Sequence, residues 1–391
     1  MANNITLTKG PGGLGRPLPG QDFISGYLHY SSTLPSGFTP SRIQEVFSVA
    51  EAEALGIVTT FTMGSSSVPT DLDVMHYHIS EYFRIQPKGD LFIGCYATSS
   101  DYAEITTMQN YASGNIRQIG VYTPVTFTTG MPTTIQIQLD LCNTNSKPLE
   151  CILQPNFGTV STTSLSSLTG LTAENVTVCV GQDGAQLGNL MLVNGQKTIG
   201  MVGVTLGAVS LAAVNESIAW VGKFNMDAGS ELDTLAFAQG TLYSSLSDSA
   251  ITTIDAKGYI FLKKFVGING SYFNNSYTSI AMTSDYSRIN NNRTINKAIR
   301  SLRTFLLPQL ASPIKVNTDG TLSADVISYF ETLCSRALDI MVSNNELSAF
   351  GATINPVQNI LSTGKLTINV SLVPTGTADI ITVNVGFVTS L

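Results

Sequence analysis

The stretch SRINNNRTINKAIRSLRTFLLPQLASPIKVNTDGTLS, residues 287–323, decides the fold together with INPVQNILSTGKLTINVSLVPTGTADIITVNVGF, residues 354–387. In the first, Ile295, Ala298, Ile299, Leu302, Phe305 and Leu306 recur at the i, i+3, i+4, i+7 spacing of one buried helix face. The same spacing sets Arg293, Lys297 and Arg300 on the opposite side, a row of cations turned away from that core. Pro308 and Pro313 end the helix and steer the chain through an extended link. Asp319-Gly320 makes a turn, and Ser323 is an N-cap for a second helix. That helix turns Val326, Ile327, Phe330, Leu333, Cys334, Ala337, Leu338 and Met341 inward and stops at Asn344-Asn345. After a loop, residues 365–373 alternate strictly, with Leu366, Ile368, Val370 and Leu372 on one face. Pro374-Thr375-Gly376 turns the chain, and Ile381, Val383, Val385 and Phe387 alternate in a closing strand. Such a strand needs an edge to pair with, in its own sheet or in another chain's.

The order of these pieces resembles the carboxy-terminal domain of contractile tail sheath proteins of phages and related injection machines. The shared sequence is an arginine-containing amphipathic helix, a PIKVNTDGTLS-like segment, a second helix, an NP.QN loop, a lysine-led strand, a VPTG turn and a closing strand. GMVGVTLGAVSLAAVNESIAWVGKFN (200–225) and the opening ITLTKGPGGLG (5–15) with QDFISGYL (21–28) are also similar to sheath segments.

The bulk properties fit an assembling protein. Of 391 residues, 43% are hydrophobic and 12% charged, against roughly 25% charged in an average soluble chain. A chain that hides surface in an assembly tolerates this; a Ser/Thr/Asn-rich surface would explain it too. The net charge of −7, without a basic run, argues against nucleic acid as a partner. Cys95, Cys142, Cys151, Cys179 and Cys334 are odd in number, lack CxxC spacing and read as buried free thiols in a reducing compartment. No secretory signal is visible. The longest apolar run, residues 199–214, has 16 residues, short of the ~20 that span a bilayer. With Gly200, Gly203 and Gly207 it reads as a tightly packed buried helix.

Taken in order, residues 1–19 hold a short alternating piece around Ile5, Thr6 and Leu7, then a Gly/Pro-rich tract that reads as a flexible arm. The globular body follows: helix at 41–54, strand at 57–63, helix at 74–85, strand at 91–96, helix at 102–111 and strand at 116–122. Residues 134–142 alternate as a strand would, whereas the sheath resemblance implies a helix there. Short apolar strands follow at 149–153 and 176–180, then helices at 198–214 and 232–246, a strand at 258–266 and a loop or hairpin at 270–280. This βα alternation predicts a mostly parallel, covered sheet. The expected class is α/β, mixed α+β at the C-terminus. The expected units are an arm at 1–19, a body at 20–270 that is partly an outer sheath domain, and a closing sheath core at 271–391.

Catalytic motifs are weak. Gly10, Gly12 and Gly15 match G-x-G-x-x-G, but Arg16-Pro17-Leu18-Pro19 blocks the helix that a nucleotide loop needs. GQDGAQLG (181–188) lacks the lysine and Ser/Thr of a P-loop. His76 and His78, with Glu81 nearby, point about 200° apart on a helix, poorly placed for one metal. His29 is the remaining histidine, and no serine sits in a G-x-S-x-G elbow.

What the resemblance implies is a structural subunit, not an enzyme, requiring no cofactor or metal. It would polymerise helically with copies of itself around an inner tail tube and contract to drive that tube through a target envelope. Baseplate and tail terminator proteins would be further partners, and the virion tail, assembled in the host cytoplasm, its location. Exchange between subunits would use Ile5, Thr6 and Leu7 at one end and Ile381, Val383, Val385 and Phe387 at the other. Arg293, Lys297 and Arg300 would meet acidic groups on the tube. Two other readings stay open: an α/β enzyme or ligand-binding protein with a pocket at strand ends, and a non-contractile polymer-forming virion protein.

Overall fold

The computed structural model describes residues 21–158, 160–227 and 231–387. In β1 (Ile24–Tyr30) all seven residues are buried. Ile24, Leu28 and Tyr30 enter one apolar core and Tyr27 the other, the signature of a strand covered on both faces. There follow β2 (Ile43–Val46), α1 (Val49–Ala54), α2 (Asp71–Ile85), β3 (Asp90–Tyr96), α3 (Glu104–Tyr111), β4 (Gln118–Thr126), α4 (Gly130–Thr144) and β5 (Glu150–Asn156). The short β6 (Thr172–Ala173), β7 (Val176–Val178) and β8 (Gly181–Asp183) lead to α5 (Leu187–Gly195) and α6 (Val202–Leu211). Then come β9 (Leu235–Phe237), β10 (Thr241–Leu242), α7 (Asp248–Ala256), β11 (Leu262–Phe265), β12 (Ile268–Phe273) and β13 (Ser279–Ile280). The chain closes with α8 (Ile289–Leu306), α9 (Ala324–Ser343), β14 (Leu347–Thr353), the single-turn α10 (Ile360–Thr363) and β15 (Asn369–Pro374).

The main sheet has the order β2-β3-β1-β4-β5-β7. It is parallel throughout except for β2, which runs antiparallel to β3 on one edge. Helices α2 and α6 pack over one face and α3 and α4 over the other, giving the covered α/β sheet that the alternation predicts. Helix α2 starts with a capping box: the Asp73 amide donates to Thr70 Oγ1 at 3.2 Å, and the Thr70 amide to Asp73 Oδ2 at 2.7 Å. Helix α6 is apolar all round and buried at nine of its ten positions. Its glycines permit contact with α2: a Cβ on Gly203 would drive into the His78 carbonyl, and one on Gly207 would stand 3.0 Å from the Tyr82 carbonyl oxygen.

Tertiary context overrides the sequence reading in four places. Residues 41–54 are not one helix, because Ile43–Val46 is taken by the sheet edge and only Val49–Ala54 coils, capped by Ser48. Residues 57–63 form no strand; the Asp73 carboxylate instead accepts from the amides of Thr60 and Phe61. Residues 232–246 are not a helix: β9 inserts between β8 and β10, with a turn at Gly240 (φ 78°). The strand at 258–266 is ordered as a ladder only over Leu262–Phe265, which forms a hairpin with β12. Residues 134–142 lie within α4, as the sheath resemblance implies.

In the last quarter, α9 buries Phe330, Leu333, Cys334, Ala337, Leu338 and Met341. The loop expected after α9 contains β14, which pairs antiparallel with β15. Ahead of β15, the side chain of Gln358 substitutes for a strand neighbour. It donates to the Thr367 carbonyl at 2.9 Å and accepts from the Thr367 amide at 2.7 Å. Ala298 and Leu302 of α8 join Leu338, Met341, Leu347, Val370 and Leu372 in one small core. Leu306 joins Phe330, Leu333, Ile354, Leu366 and Ile368 in another. Ile299, assigned to the inward face, is 38% exposed.

Candidate assembly surface and its charged anchor

The first half of α8 is embedded by polar side chains. Asn290, Asn292, Arg293, Thr294 and Asn296 are all buried. Arg293, 4% exposed, donates to the carbonyls of Ala212 (3.1 Å) and Ala213 (3.2 Å), at the end of α6, and of Asp22 (3.2 Å). Lys297 Nζ lies 2.7 Å from Asp22 Oδ2 and 2.5 Å from Glu346 Oε1, and Arg300 Nη2 lies 3.0 Å from Asp22 Oδ1. The row Arg293, Lys297 and Arg300 is therefore not the outward cationic face expected for an inner tube. Its charges are engaged inside the chain, because the segment that leads into β1 brings Asp22 beneath them. Burial would raise the Asp22 carboxyl, but Lys297, Arg300 and Arg293 outweigh it and hold it below the ordinary range.

A second acid meets the same helix from the sheet. Glu150, at the start of β5, is 2% exposed and accepts from Asn175 Nδ2 and Asn296 Nδ2, each at 2.8 Å. Burial pushes its carboxyl up to about 8. Its second oxygen has no hydrogen-bond partner among the described residues. Sequence spacing missed this docking because Asn and Arg on a helix read as a solvated face.

Beyond the anchor, the closing sheet is unfinished. Among the described residues β14 and β15 alone pair in it, and two strands alone are marginal in water. The chain then turns at Thr375, whose hydroxyl accepts from Asn215 Nδ2 at 3.1 Å. Asp379 Oδ2 lies 2.6 Å from Arg288 Nη2. Past this clasp, residues 381–387 belong to no helix or strand. Ile381, Val383, Val385 and Phe387 are between 73% and 110% exposed. The closing strand read from the sequence thus has no strand partner among the described residues. The matching residues Ile5, Thr6 and Leu7 lie outside the described residues.

The candidate chemical groups are dispersed. His76 pairs with Glu53 at 2.9 Å. His78 points the other way into the core, beside His29, Tyr27 and Tyr122. Asp183 of the GQDGAQLG segment accepts from the amides of Gln186 (2.7 Å) and Asn189 (3.0 Å), so its carboxylate organises a turn into α5. Among the described residues no group of three or more His, Cys, Asp or Glu could hold a metal ion. All five cysteines are free and buried.

Two family models match parts of the chain. Residues 142–277 match the family described as DUF2586, N-terminal domain, and residues 285–391 match DUF2586, C-terminal domain. No curated protein matches the sequence. Among solved structures, the helical sheath of the anti-feeding prophage in its contracted state superposes with a TM-score of 0.62 at 12% identity, covering 99% of both chains. The six-fold symmetrised baseplate of the same system gives 0.60 at 12% identity, over 100% of this chain and 99% of that one. Its contracted baseplate gives 0.55 at 12% identity, over 98% and 97%. The fold is that of the helical sheath protein of the anti-feeding prophage.

Proposed function

We propose that this chain is the subunit of a contractile tail sheath, in a phage tail or a related injection system. It polymerises into helically stacked rings around an inner tail tube, with a baseplate at one end and a terminator at the other. Contraction of the polymer drives the tube through the target envelope, and the site of action is the virion tail. The observation that carries this reading is the tail at residues 381–387, with its exposed, alternating apolar side chains, following a sheet of two strands that has no further strand among the described residues.

In this reading the tail adds as a strand to the closing sheet of the next copy, and the segment around Ile5, Thr6 and Leu7 contributes in the same way. Four or five ladder bonds contribute about 2–7 kcal/mol at ~0.5–1.5 kcal/mol each. Burial of the apolar face of the tail adds to that. Head-to-tail joints of this kind build rings where the rotation closes and helical polymers where it does not. They also let subunits reorient without detaching.

Negative-stain electron microscopy of the purified chain, alone and with its tube, tests the proposal. Striated hollow tubes or ring stacks are expected. A chain ending at Thr377 should give folded particles and no tubes. Tubes of normal appearance from that truncated chain would refute strand exchange at this end.

A further inference from the structure

A cleft of about 630 Å³ opens beside the anchor, between α8, the end of α9 and the loop before β4. Arg117, Lys297, Arg300 and Arg303 line it, together with the carboxylates of Asp22 and Glu346. Arg293 lies directly behind, in the narrow recess that Arg117, Arg300 and Asp22 also share. Counting only buried or half-buried groups, Arg117, Arg293, Lys297 and Arg300 supply four positive charges against two negative ones. Glu150, protonated at neutral pH with its carboxyl at about 8, does not make up the difference.

Arg293 spends its donors on three carbonyls, whereas Arg117 leaves most of its own unused among the described residues. Among the described residues the Arg117 guanidinium makes one hydrogen bond, to the Gly114 carbonyl at 2.8 Å, and has no carboxylate within ion-pair distance. Burial and the neighbouring Arg300 lower its pKa to about 10. An excess of desolvated positive charge is costly unless a counter-ion joins it, and guanidinium groups take oxyanions through paired N–H donors. Residues 1–20 contain Lys9 and Arg16 and no acidic side chain that could serve as that counter-ion.

The geometry points to an oxyanion-binding site in this cleft, with Arg117 as the principal ligand-binding residue and Arg300 and Arg303 beside it. The oxyanion is either free phosphate or a carboxylate of a second copy of the chain seated against the cleft.

The full-length chain is titrated with phosphate at fixed ionic strength, chloride making up the balance, and thermal unfolding is followed. A saturating rise in Tm is expected. Arg117→Gln should weaken the apparent affinity about 10–100-fold, the range for losing hydrogen bonds to a charged group. Without phosphate, Arg117→Gln should unfold at a higher temperature than the native chain, because it removes uncompensated charge. Phosphate should reverse that ranking. Arg117→Lys keeps the charge and loses the fork, so it should bind with intermediate affinity and serves if the glutamine variant does not fold. Phosphate that binds and also inhibits polymerisation identifies the carboxylate of a neighbouring copy as the occupant. Phosphate that binds without affecting polymerisation identifies the free ion. A native chain indifferent to phosphate, or variants that respond as it does, overturns the site.

Discussion

Replacing Glu150 by Gln should remove a specific pH dependence from the stability of this protein. The carboxyl lies at the contact between the main sheet and α8, and accepts from Asn175 and Asn296 through one oxygen. Burial is the largest influence, raising it from 4.5 to about 8, while the bond from Asn175 and the charge of Arg293 temper the rise. Because the folded-state value is raised, the contribution is complete below about 4.5 and is lost as pH climbs through about 8. At ~1.4 kcal/mol per pH unit the full span is about 5 kcal/mol, and the part between pH 6 and pH 8 about 3 kcal/mol. Structural relaxation around an ionised Glu150 reduces both figures. Gln keeps the accepting oxygen and never ionises. Urea unfolding at a series of pH values from 6 to 9 should show the native chain losing stability relative to Glu150→Gln by about 1.5–3 kcal/mol. Taking the difference between the two proteins cancels other groups in this window, notably Glu231, which burial also pushes up, to about 7. Parallel profiles for the two proteins would refute the assignment of a neutral carboxyl to this contact.

Two further outcomes follow from the packing of α6 on α2 and from the buried histidines. Gly203→Ala places a methyl group against the His78 carbonyl and should cost about 1–3 kcal/mol by overpacking, read as a lower urea midpoint with unchanged m-value. His29 and His78 are completely buried, which lowers them to about 4 and about 3. Stability should therefore be full above pH 6.5 and fall as pH drops toward 4, by about 3 kcal/mol or more for His29 alone. His78→Phe should flatten the acid limb of the thermal profile, since neither His78 ring nitrogen has a hydrogen-bond partner among the described residues; an unchanged limb would refute its role.

Legibility in the sequence followed the physical origin of each element. Helix α6 and strands β3, β4 and β5 declared themselves because their apolar content exceeds what a surface could carry. The central strand β1 did not, since Ser25, Gly26 and His29 interrupt its apolar run, although all three are buried. Residues 232–246 carry enough helix formers to mislead, and only pairing with β8, distant in sequence, makes Leu235–Phe237 a strand. The cationic row was visible as a spacing, but its direction depended on Asp22, more than 270 residues earlier in the chain. The tail was the opposite case: its alternation was plain, and the absence of a partner within residues 21–387 is information that spacing alone could not contain.

Helix α8 is 18 residues long, about 27 Å at 1.5 Å per residue, and its two ends belong to different cores. Arg293 and Asn296 tie one half to the α6 end and to β5, while Ala298, Leu302 and Leu306 nucleate the closing sheet and α9. A continuous rod bonded at both ends acts as a splint: bending between the two regions would break backbone hydrogen bonds in mid-helix and uncover charges that Asp22 now neutralises. Torque applied to the closing region is delivered to the main sheet nearly undiminished. In the polymer proposed above, a large rearrangement would thus be carried by the joints at the tails, with each subunit turning as a stiff block.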